Sequence, residues 1–446
     1  NSKIQIMAEL KKIFFNKKIL IYGLGLTGNS SFNYLRKSNK ISVFDDNKKN
    51  INLKKFKKYL IKRDQIKINS FDYIVISPGI NSRKCSLKKF LSKNKNKICT
   101  DLDIFYANNH KNKMITVTGT NGKSTTVKLI SDILKNAGKD ARFVGNIGRS
   151  ILNEKKIKKN TLFVIEASSY QIEYSKFFKS QYSILLNISL DHIERHGNLK
   201  KYLQIKLKLF YNQTKQDYAL FNNKNLIISK SIKKRKIKCK IINVDQKINN
   251  KYINNIKNTY FNNDNNQENL SFVFKICEKL KIKKKIIIRT INNFKGLKYR
   301  QQIVYDSKKL SIINDSKSTS FSSTTNLIKS YNNIFWILGG QPKKNDQFNF
   351  NKNKKLNIQA YIYGKNKKFF SKKLTSKIRF QVFTSISQAL KKILVDIKNL
   401  NNPSKKIILF SPASASFDEF NNFEERGKKF NSLVKKFKLI KMINAR

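Results

Sequence analysis

Residues 114–130 read MITVTGTNGKSTTVKLI, and the reading of this stretch decides what kind of protein the chain forms. Met114 to Thr118 is the apolar, β-branched run of a buried strand, Gly119 and Gly122 mark a tight turn, and a helical pattern follows as far as Gly138. A strand, a glycine turn and a helix in that order make an anion site, because the first amides of the helix point into the turn. The usual phosphate loop, GxxxxGK[ST], would need a glycine at position 117, where the chain has Val117, so the loop is two residues short. Within it Gly119, Thr120, Asn121 and Gly122 offer backbone to a phosphate. Lys123 can bridge terminal phosphates, Ser124 can ligate Mg²⁺ through its hydroxyl, and Thr125 lies in the first helical turn. An ordinary strand–turn–helix junction is the competing reading.

The same alternation continues on both sides. Upstream are KILIYG (18–23), NSSFNYLRK (29–37), KISVFDD (40–46) and FDYIVISPGI (71–80); downstream are TLFVIEASSYQIE (161–173) and YSILLNISLDHIERHG (182–197). A third such pattern runs through LSIINDSKST (310–319), IFWILGGQPKKNDQF (334–348) and KKIILFSPASASFDEFNNFEERGKKF (405–430). Short buried strands alternating with helices predict an α/β protein with parallel sheets and polar loops at the carboxyl ends of the strands, where such sheets bind ligands. The length of 446 residues suits roughly three domains of about 150. The expected division is 1–101, a Rossmann-like domain; 102–296, a central P-loop ATPase domain with a mainly parallel sheet; and 297–446, a second Rossmann-like domain. From 224 to 267 the chain is rich in Asn and Lys, and short strands and loops are expected there.

A formal charge of +67, from 94 Lys and Arg against 27 Asp and Glu, would ordinarily point to nucleic acid or an anionic membrane surface. Here lysine is spread through every segment, alongside abundant Asn, Ile and Phe, and no cluster of basic and aromatic residues of the strand-binding kind stands out. A compositional bias accounts for it, and no specific nucleic-acid partner is expected. The four cysteines, Cys85, Cys99, Cys239 and Cys277, form no CxxC pair, which fits a reducing compartment. The charged start contains no apolar signal core, and no run approaches the ~20 apolar residues of a membrane span. The expected setting is the bacterial cytosol. The first residue, Asn1, is not methionine, which suggests a trimmed or incomplete N-terminus.

Gly23, Gly25 and Gly28 form a GxGxxG after a strand, with Asp45 ending the next one. The pattern suits a nicotinamide or flavin, another nucleotide diphosphate, or a tight turn with no ligand. Glu166 ends the apolar run TLFVIE, a position from which a carboxylate can coordinate the Mg²⁺ of ATP. Two of the three histidines, His192 and His196, fall in LDHIERHG beside Asp191 and Arg195, a cluster able to supply a metal ligand. In KYLQIKLKLFY, a helix would put Tyr202, Leu203, Ile205, Leu207, Leu209 and Phe210 on one broad face and Lys201, Gln204 and Lys208 on the other. Lys206 falls in the middle of the apolar face. Burial favours the neutral amine, the form that adds CO₂ to give a carbamate; a lysine snorkelling from an amphipathic helix is the plainer alternative.

In order along the chain, GLGLTGNS (23–30), SPGI (77–80), GTNGKST (119–125), GNIG (145–148), EASSYQIE (166–173), NISLDHIERHG (187–197), NDSKST (314–319), LGGQPKKNDQF (338–348) and SPASASFDEFNNFEERG (411–427) resemble the motifs of the Mur ligases over essentially the whole length. The SPASASFDEF segment is most similar to the member that adds D-glutamate to UDP-N-acetylmuramoyl-L-alanine with ATP and two Mg²⁺ ions, as a cytoplasmic monomer. The resemblance implies a uridine diphosphate sugar at Gly25, Leu26, Thr27, Asp45, Ser77, Pro78 and Gly79, with Asn146 close to the substrate. It implies Lys123 and Ser124 at the phosphates, Ser124 and Glu166 at one Mg²⁺, and His192 and a carbamylated Lys206 at the second. Asn266 and Asn269 would meet adenine, Arg300 and Asp315 the phosphate and ribose side, and Lys317, Thr319, Lys343, Ser416 and Phe423 the D-glutamate. The chain departs from the family at Asn265, where a histidine is usual, and at Asn47, where an arginine is common. The folylpolyglutamate synthases are the neighbouring enzyme class; a nucleic-acid-binding protein on a Rossmann scaffold would rest on the charge alone.

Overall fold

The first strand, β1 (Lys18–Tyr22), is apolar after its exposed first residue, and Ile19, Leu20, Ile21 and Tyr22 are all fully buried, as expected of a strand covered on both faces. It pairs in parallel with β2 (Lys40–Phe44) and β3 (Tyr73–Ile76), and β4 (Ile98–Cys99) completes a sheet of order β2-β1-β3-β4. The computed structural model describes residues 10, 12–47, 51–146, 150–235, 237–245, 250–262, 264–343, 346–350, 357–400 and 403–437.

The second sheet contains β5 (Lys113–Thr118), β6 (Ala141–Gly145), β7 (Leu162–Glu166), β8 (Tyr182–Leu185), β9 (Tyr218–Phe221) and β10 (Lys240–Asn243). Its order is β10-β9-β8-β5-β7-β6 and every pairing is parallel. The strand before the glycine turn is thus central. Val117 pairs with Glu166 on one side and Thr118 with Leu185 on the other, so the loops after β5, β7 and β8 leave the sheet at the same edge. The chain reverses direction across the sheet beside β5, the switch point at which open α/β sheets bind ligands.

The third sheet is built from β11 (Gln302–Asp306), β12 (Leu310–Asn314), β13 (Ile334–Gly339), β14 (Ile358–Tyr363), β15 (Arg379–Phe383) and β16 (Lys406–Phe410). Its order is β11-β12-β16-β13-β14-β15, parallel except for the antiparallel pair β11 and β12. The expected α/β class with mainly parallel sheets is therefore the fold. By contact density the chain forms two compact units, one of Asn1–Ile256 with Gln267–Ile291, the other of Lys257–Asn266 with Asn292–Arg446. The first unit holds the first two sheets and the second holds the third.

Inside the first unit the helix Asp101–Asn109 leads from one sheet to the next. Its Asp103 is buried and accepts hydrogen bonds from the amides of Thr100, Lys176, Phe177 and Phe178 and from the Ser175 hydroxyl. Several donors on one carboxylate fix this connection firmly.

The segment 224–267 differs from expectation. Among its described residues it holds one strand, β10, and helices at Leu226–Lys233, Asn250–Ile253 and from Asp264 to Lys279. Leu270, Val273, Phe274 and Cys277 recur at helical spacing and are buried, a period that the surrounding Asn and Lys obscure. No helix among the described residues is long and apolar enough to cross a membrane.

Candidate functional site

Gly119 and Gly122 sit at φ +155° and +82°, and Gly122 opens the helix Lys123–Asn136 from the left-handed region. A Cβ on Gly122 would collide with the side-chain amide of Asn269, so the phosphate loop and Asn269 are packed together. The Lys123 Nζ folds back over the loop and donates to the carbonyls of Gly119 (2.9 Å) and Thr120 (2.8 Å). Ser124 is buried in the first helical turn. Asn187, at the end of β8, grips the loop: its backbone carbonyl accepts from Thr120 N, its Oδ1 from Asn121 N at 2.9 Å, and its Nδ2 donates to Asn121 O at 3.2 Å. The loop is thus a shaped backbone cradle at a helix N-terminus, the requirement for binding phosphate.

Glu166 is buried at the end of β7. Its Oε1 accepts from Asn146 Nδ2 at 3.0 Å, whereas Oε2 has no hydrogen-bond partner. An orphaned carboxylate oxygen in a buried place is costly and calls for a cation or a donor from a ligand. Among the described residues no three His, Cys, Asp or Glu side chains gather into a metal cage. One buried carboxylate beside a phosphate loop and the Ser124 hydroxyl suits Mg²⁺, which takes one or two protein oxygens and completes its shell with phosphate and water.

Lys206 is 1% exposed, in the middle of the buried face of the helix Leu199–Tyr211. Its Nζ donates to Gly119 O at 2.8 Å and lies 4.5 Å from the centre of the Tyr202 ring. Burial, and then the positive charge of Lys123, push its pKa well below the ordinary lysine value, against the opposing pull of Asp191 and Glu166. The apolar-face reading of Lys206 holds, but that of Lys208 needs correction. Lys208 is half-buried and donates to Glu173 O at 2.7 Å, tying its helix to Ser169–Tyr174 rather than facing solvent.

The residues of LDHIERHG separate into two roles. Asp191 and His192 stay partly exposed, and the Nδ1 of His192 is 2.9 Å from the Tyr170 hydroxyl, which fixes the imidazole plane. Arg195 and His196 are buried. Arg195 Nε donates to Glu173 Oε2 at 3.0 Å, and His196 Nε2 meets Ser169 Oγ at 3.0 Å. Burial, then Arg195 and His192, lower the His196 pKa to about 4, so it packs as a neutral ring, stacked on Tyr202.

A cavity of about 400 Å³ in the first unit is lined by Gly25, Leu26, Thr27, Asp45, Ser77, Pro78, Gly79 and Asn146, all eight residues expected at the nucleotide sugar. The Asp45 carboxylate accepts from Leu24 N at 2.7 Å and Asn47 N at 2.8 Å, which pins the glycine loop after β1 to the end of β2. Asp101 and Gln171 also line this cavity and escaped the sequence reading. Burial raises the Asp101 pKa to about 6, and Gln171 Nε2 donates to it at 3.3 Å.

In the second unit the residues expected at the amino acid follow the carboxyl ends of strands. Lys317 and Thr319 follow β12, Lys343 follows β13, Ser416 follows β16, and Phe423 opens the helix Phe423–Lys436. The Lys317 Nζ lies 4.5 Å from the Phe423 ring centre; Lys343 is exposed and Ser416 buried. Asp315 is buried, accepts from Ser411 Oγ at 2.9 Å and Gln301 N at 3.1 Å, and has its pKa raised by burial to about 7. Asn266 Nδ2 donates to Tyr260 O at 2.8 Å, and Arg300 N donates to Leu297 O at 3.0 Å. Asn265, Ile147 and Gly148, named in the motif reading, lie outside the residues whose side chains are described.

Residues 17–98 match the MurD-like N-terminal domain of Mur ligases, and residues 117–295 match the Mur ligase middle domain. The UDP-N-acetylmuramoylalanine--D-glutamate ligase of Rickettsia bellii (strain RML369-C) is 33% identical over 444 residues, covering 93% of this chain and 96% of that protein. The chain belongs to the Mur ligase family. The enzyme of the same description from Buchnera aphidicola subsp. Schizaphis graminum is 33% identical over 452 residues, covering 95% of this chain and 98% of that one. Among solved structures the MurF ligase of Thermotoga maritima in complex with ADP superposes with a TM-score of 0.54 at 13% identity, covering 95% of this chain and 99% of that one. The UDP-N-acetylmuramate-alanine ligase MurC of Thermotoga maritima gives 0.52 at 16%, with the same coverage. At such identities the likeness is one of fold.

In this Mur ligase, Asn187, Tyr170, Asp101 and Gln171 join the site without standing out in the sequence, although the first two and Gln171 fall within the motifs NISLDHIERHG and EASSYQIE. A polar residue next to a strand end was the available signal. Nothing in spacing says which of several polar neighbours turns inward.

Proposed function

We propose that this Mur ligase joins D-glutamate to UDP-N-acetylmuramoyl-L-alanine at the expense of ATP, in cytoplasmic peptidoglycan precursor synthesis. The observation that carries the chemistry is the convergence of a short phosphate loop, the orphaned oxygen of Glu166 and the buried amine of Lys206 around the end of β5. The choice of amino acid rests on near-full-length similarity to the D-glutamate ligases named above.

The terminal carboxylate of the nucleotide sugar attacks the γ-phosphorus of ATP, the bond to ADP breaks, and an acyl phosphate forms. The amine of D-glutamate then attacks the acyl carbon, phosphate leaves, and the nitrogen loses its proton. Two anions must meet in the first step, so positioning and charge neutralisation are the main contributions a protein can make. Lys123, now turned onto Gly119 and Thr120, would swing its ammonium to the terminal phosphates, while Asn187 keeps the cradle in shape. Ser124 with Glu166, and His192 with a carbamylated Lys206, would hold two Mg²⁺ ions, supplying further positive charge at the phosphates. Burial lowers the Lys206 pKa toward the neutral amine that reacts with CO₂, and Tyr170 would keep His192 in one orientation.

Gly25, Leu26, Thr27, Asp45, Ser77, Pro78, Gly79 and Asn146 would bind the uridine diphosphate sugar in the 400 Å³ cavity. Asn266, Asn269, Arg300 and Asp315 would contact the adenosine end of ATP, and Lys317, Thr319, Lys343, Ser416 and Phe423 the D-glutamate. Domain boundaries near 101 and 296 would divide the chain into three parts, in a monomer. Purified protein should release ADP only when both UDP-N-acetylmuramoyl-L-alanine and D-glutamate are present. Release with L-glutamate and a folate instead would refute this reading.

A further inference from the structure

Arg426, in the first turns of the helix Phe423–Lys436, is fully buried. A guanidinium has five N–H donors and cannot shed its charge near neutral pH. All five are engaged here, and none meets a carboxylate. Nε donates to Ser316 Oγ at 3.1 Å, Nη1 to Ala415 O at 3.1 Å and Ser414 Oγ at 3.5 Å, and Nη2 to Ser316 O at 2.7 Å and Ser414 O at 2.9 Å.

These acceptors are not scattered. Ser316 precedes Lys317, and its hydroxyl donates in turn to Phe423 O at 2.9 Å; Ala415 precedes Ser416; the Ser414 hydroxyl donates to Gly339 O at 2.7 Å, where the loop to Lys343 begins. One side chain therefore ties together the three loops and the helix start that carry Lys317, Thr319, Lys343, Ser416 and Phe423. A Cβ on Gly340 would run into Arg426 Nη1 and the Ser414 hydroxyl, so the packing leaves this guanidinium one position.

Nor does a carboxylate touch the charge. No carboxylate lies within 4 Å of the Arg426 nitrogens among the described residues. Tyr363 acts on it most strongly, and Asp418 and Asp315 act on it from beyond ion-pair distance. A buried guanidinium held by neutral acceptors keeps its desolvation cost. Such a charge favours an anion at the loop surface in front of it.

We propose that Arg426 is the positioning residue of the amino-acid site, holding its three loops in register and supplying the fixed positive charge that favours an acidic amino acid over a neutral one. This rests on the reading that the second unit receives D-glutamate. The Arg426→Gln protein should remain folded by circular dichroism and show a KM for D-glutamate raised roughly tenfold or more, while the KM values for ATP and the nucleotide sugar stay within about twofold. Arg426→Lys, which keeps the charge and loses the fork, should fall between wild type and Arg426→Gln. Should Arg426→Gln fail to fold, Ser316→Ala removes one acceptor only and should still raise the D-glutamate KM selectively. An unchanged D-glutamate KM in the folded variants, or an equal loss toward all three substrates, overturns the role of Arg426. Wild-type protein that releases no ADP with D-glutamate overturns the proposed function, and this role with it.

Discussion

The side-chain nitrogen of Lys206 lies 2.8 Å from the carbonyl oxygen of Gly119, the first glycine of the phosphate loop. A residue from the helix Leu199–Tyr211 thus reaches the end of β5 through the core, and its amine is dehydrated by the position it occupies. Burial there pushes the amine toward its neutral form, the condition for the proposed carbamate.

Replacing Lys206 by Ala should lower ADP release by roughly a hundredfold. Lys201, exposed on the same helix, is the appropriate control, and Lys201→Ala should stay within about twofold of wild type. Lys208 is unsuitable because its anchor on Glu173 O is itself structural. With isotopically labelled bicarbonate, a carbamate signal in the wild type that vanishes in Lys206→Ala would tie the effect to the modified amine. Equal loss in the Lys206 and Lys201 variants refutes the assignment.

Glu166→Gln keeps the shape of the side chain and the bond to Asn146, and removes the charge whose second oxygen is orphaned. Without ligands its melting temperature should match or exceed that of the wild type, since an unmatched buried charge is lost. With ADP and Mg²⁺ the thermal shift seen in the wild type should shrink, and turnover should fall by about a hundredfold. Unchanged turnover would exclude Glu166 from the reaction.

His196 sets a pH dependence. Its folded pKa is about 4, below the ordinary value of 6.5, because burial opposes the charged ring. Stability from this residue is therefore complete above pH 6.5 and is lost as pH falls from 6.5 toward 4, by an amount on the order of 2 kcal/mol. Thermal melts across that window should show a flatter slope in His196→Gln than in the wild type.

Asp315 works in the opposite sense. Burial raises its folded pKa to about 7 from 3.8, so the protonated form is the one the fold accommodates, and stability declines as pH rises from 4 through 7. Asp315→Asn should raise the ligand-free melting temperature at pH 8 and change it little at pH 4. The same variant should have an impaired KM for ATP if Asp315 contacts the nucleotide, and an unaltered one would remove it from that site.

Much of this protein was legible in the order of its residues. The apolar run Met114–Thr118 could only be a buried strand, the glycines at 119 and 122 only a turn opening a helix, and the apolar period around Lys206 placed that amine inward. These are local properties, set by backbone sterics and by side-chain spacing of two or about 3.6 residues. Sequence spacing said nothing of which distant polar groups would meet. Lys208 turned to Glu173, Asn187 clasped Asn121, and Arg426 closed on Ser316 and Ser414, a partner 110 positions away and one 12 away. Strand order decided the first two, because β7 and β8 flank β5, and the third sheet decided the last by bringing β12 and β16 side by side. For the buried guanidinium of Arg426 the meeting is then obligatory, since an unpaired buried donor costs more than any local preference returns.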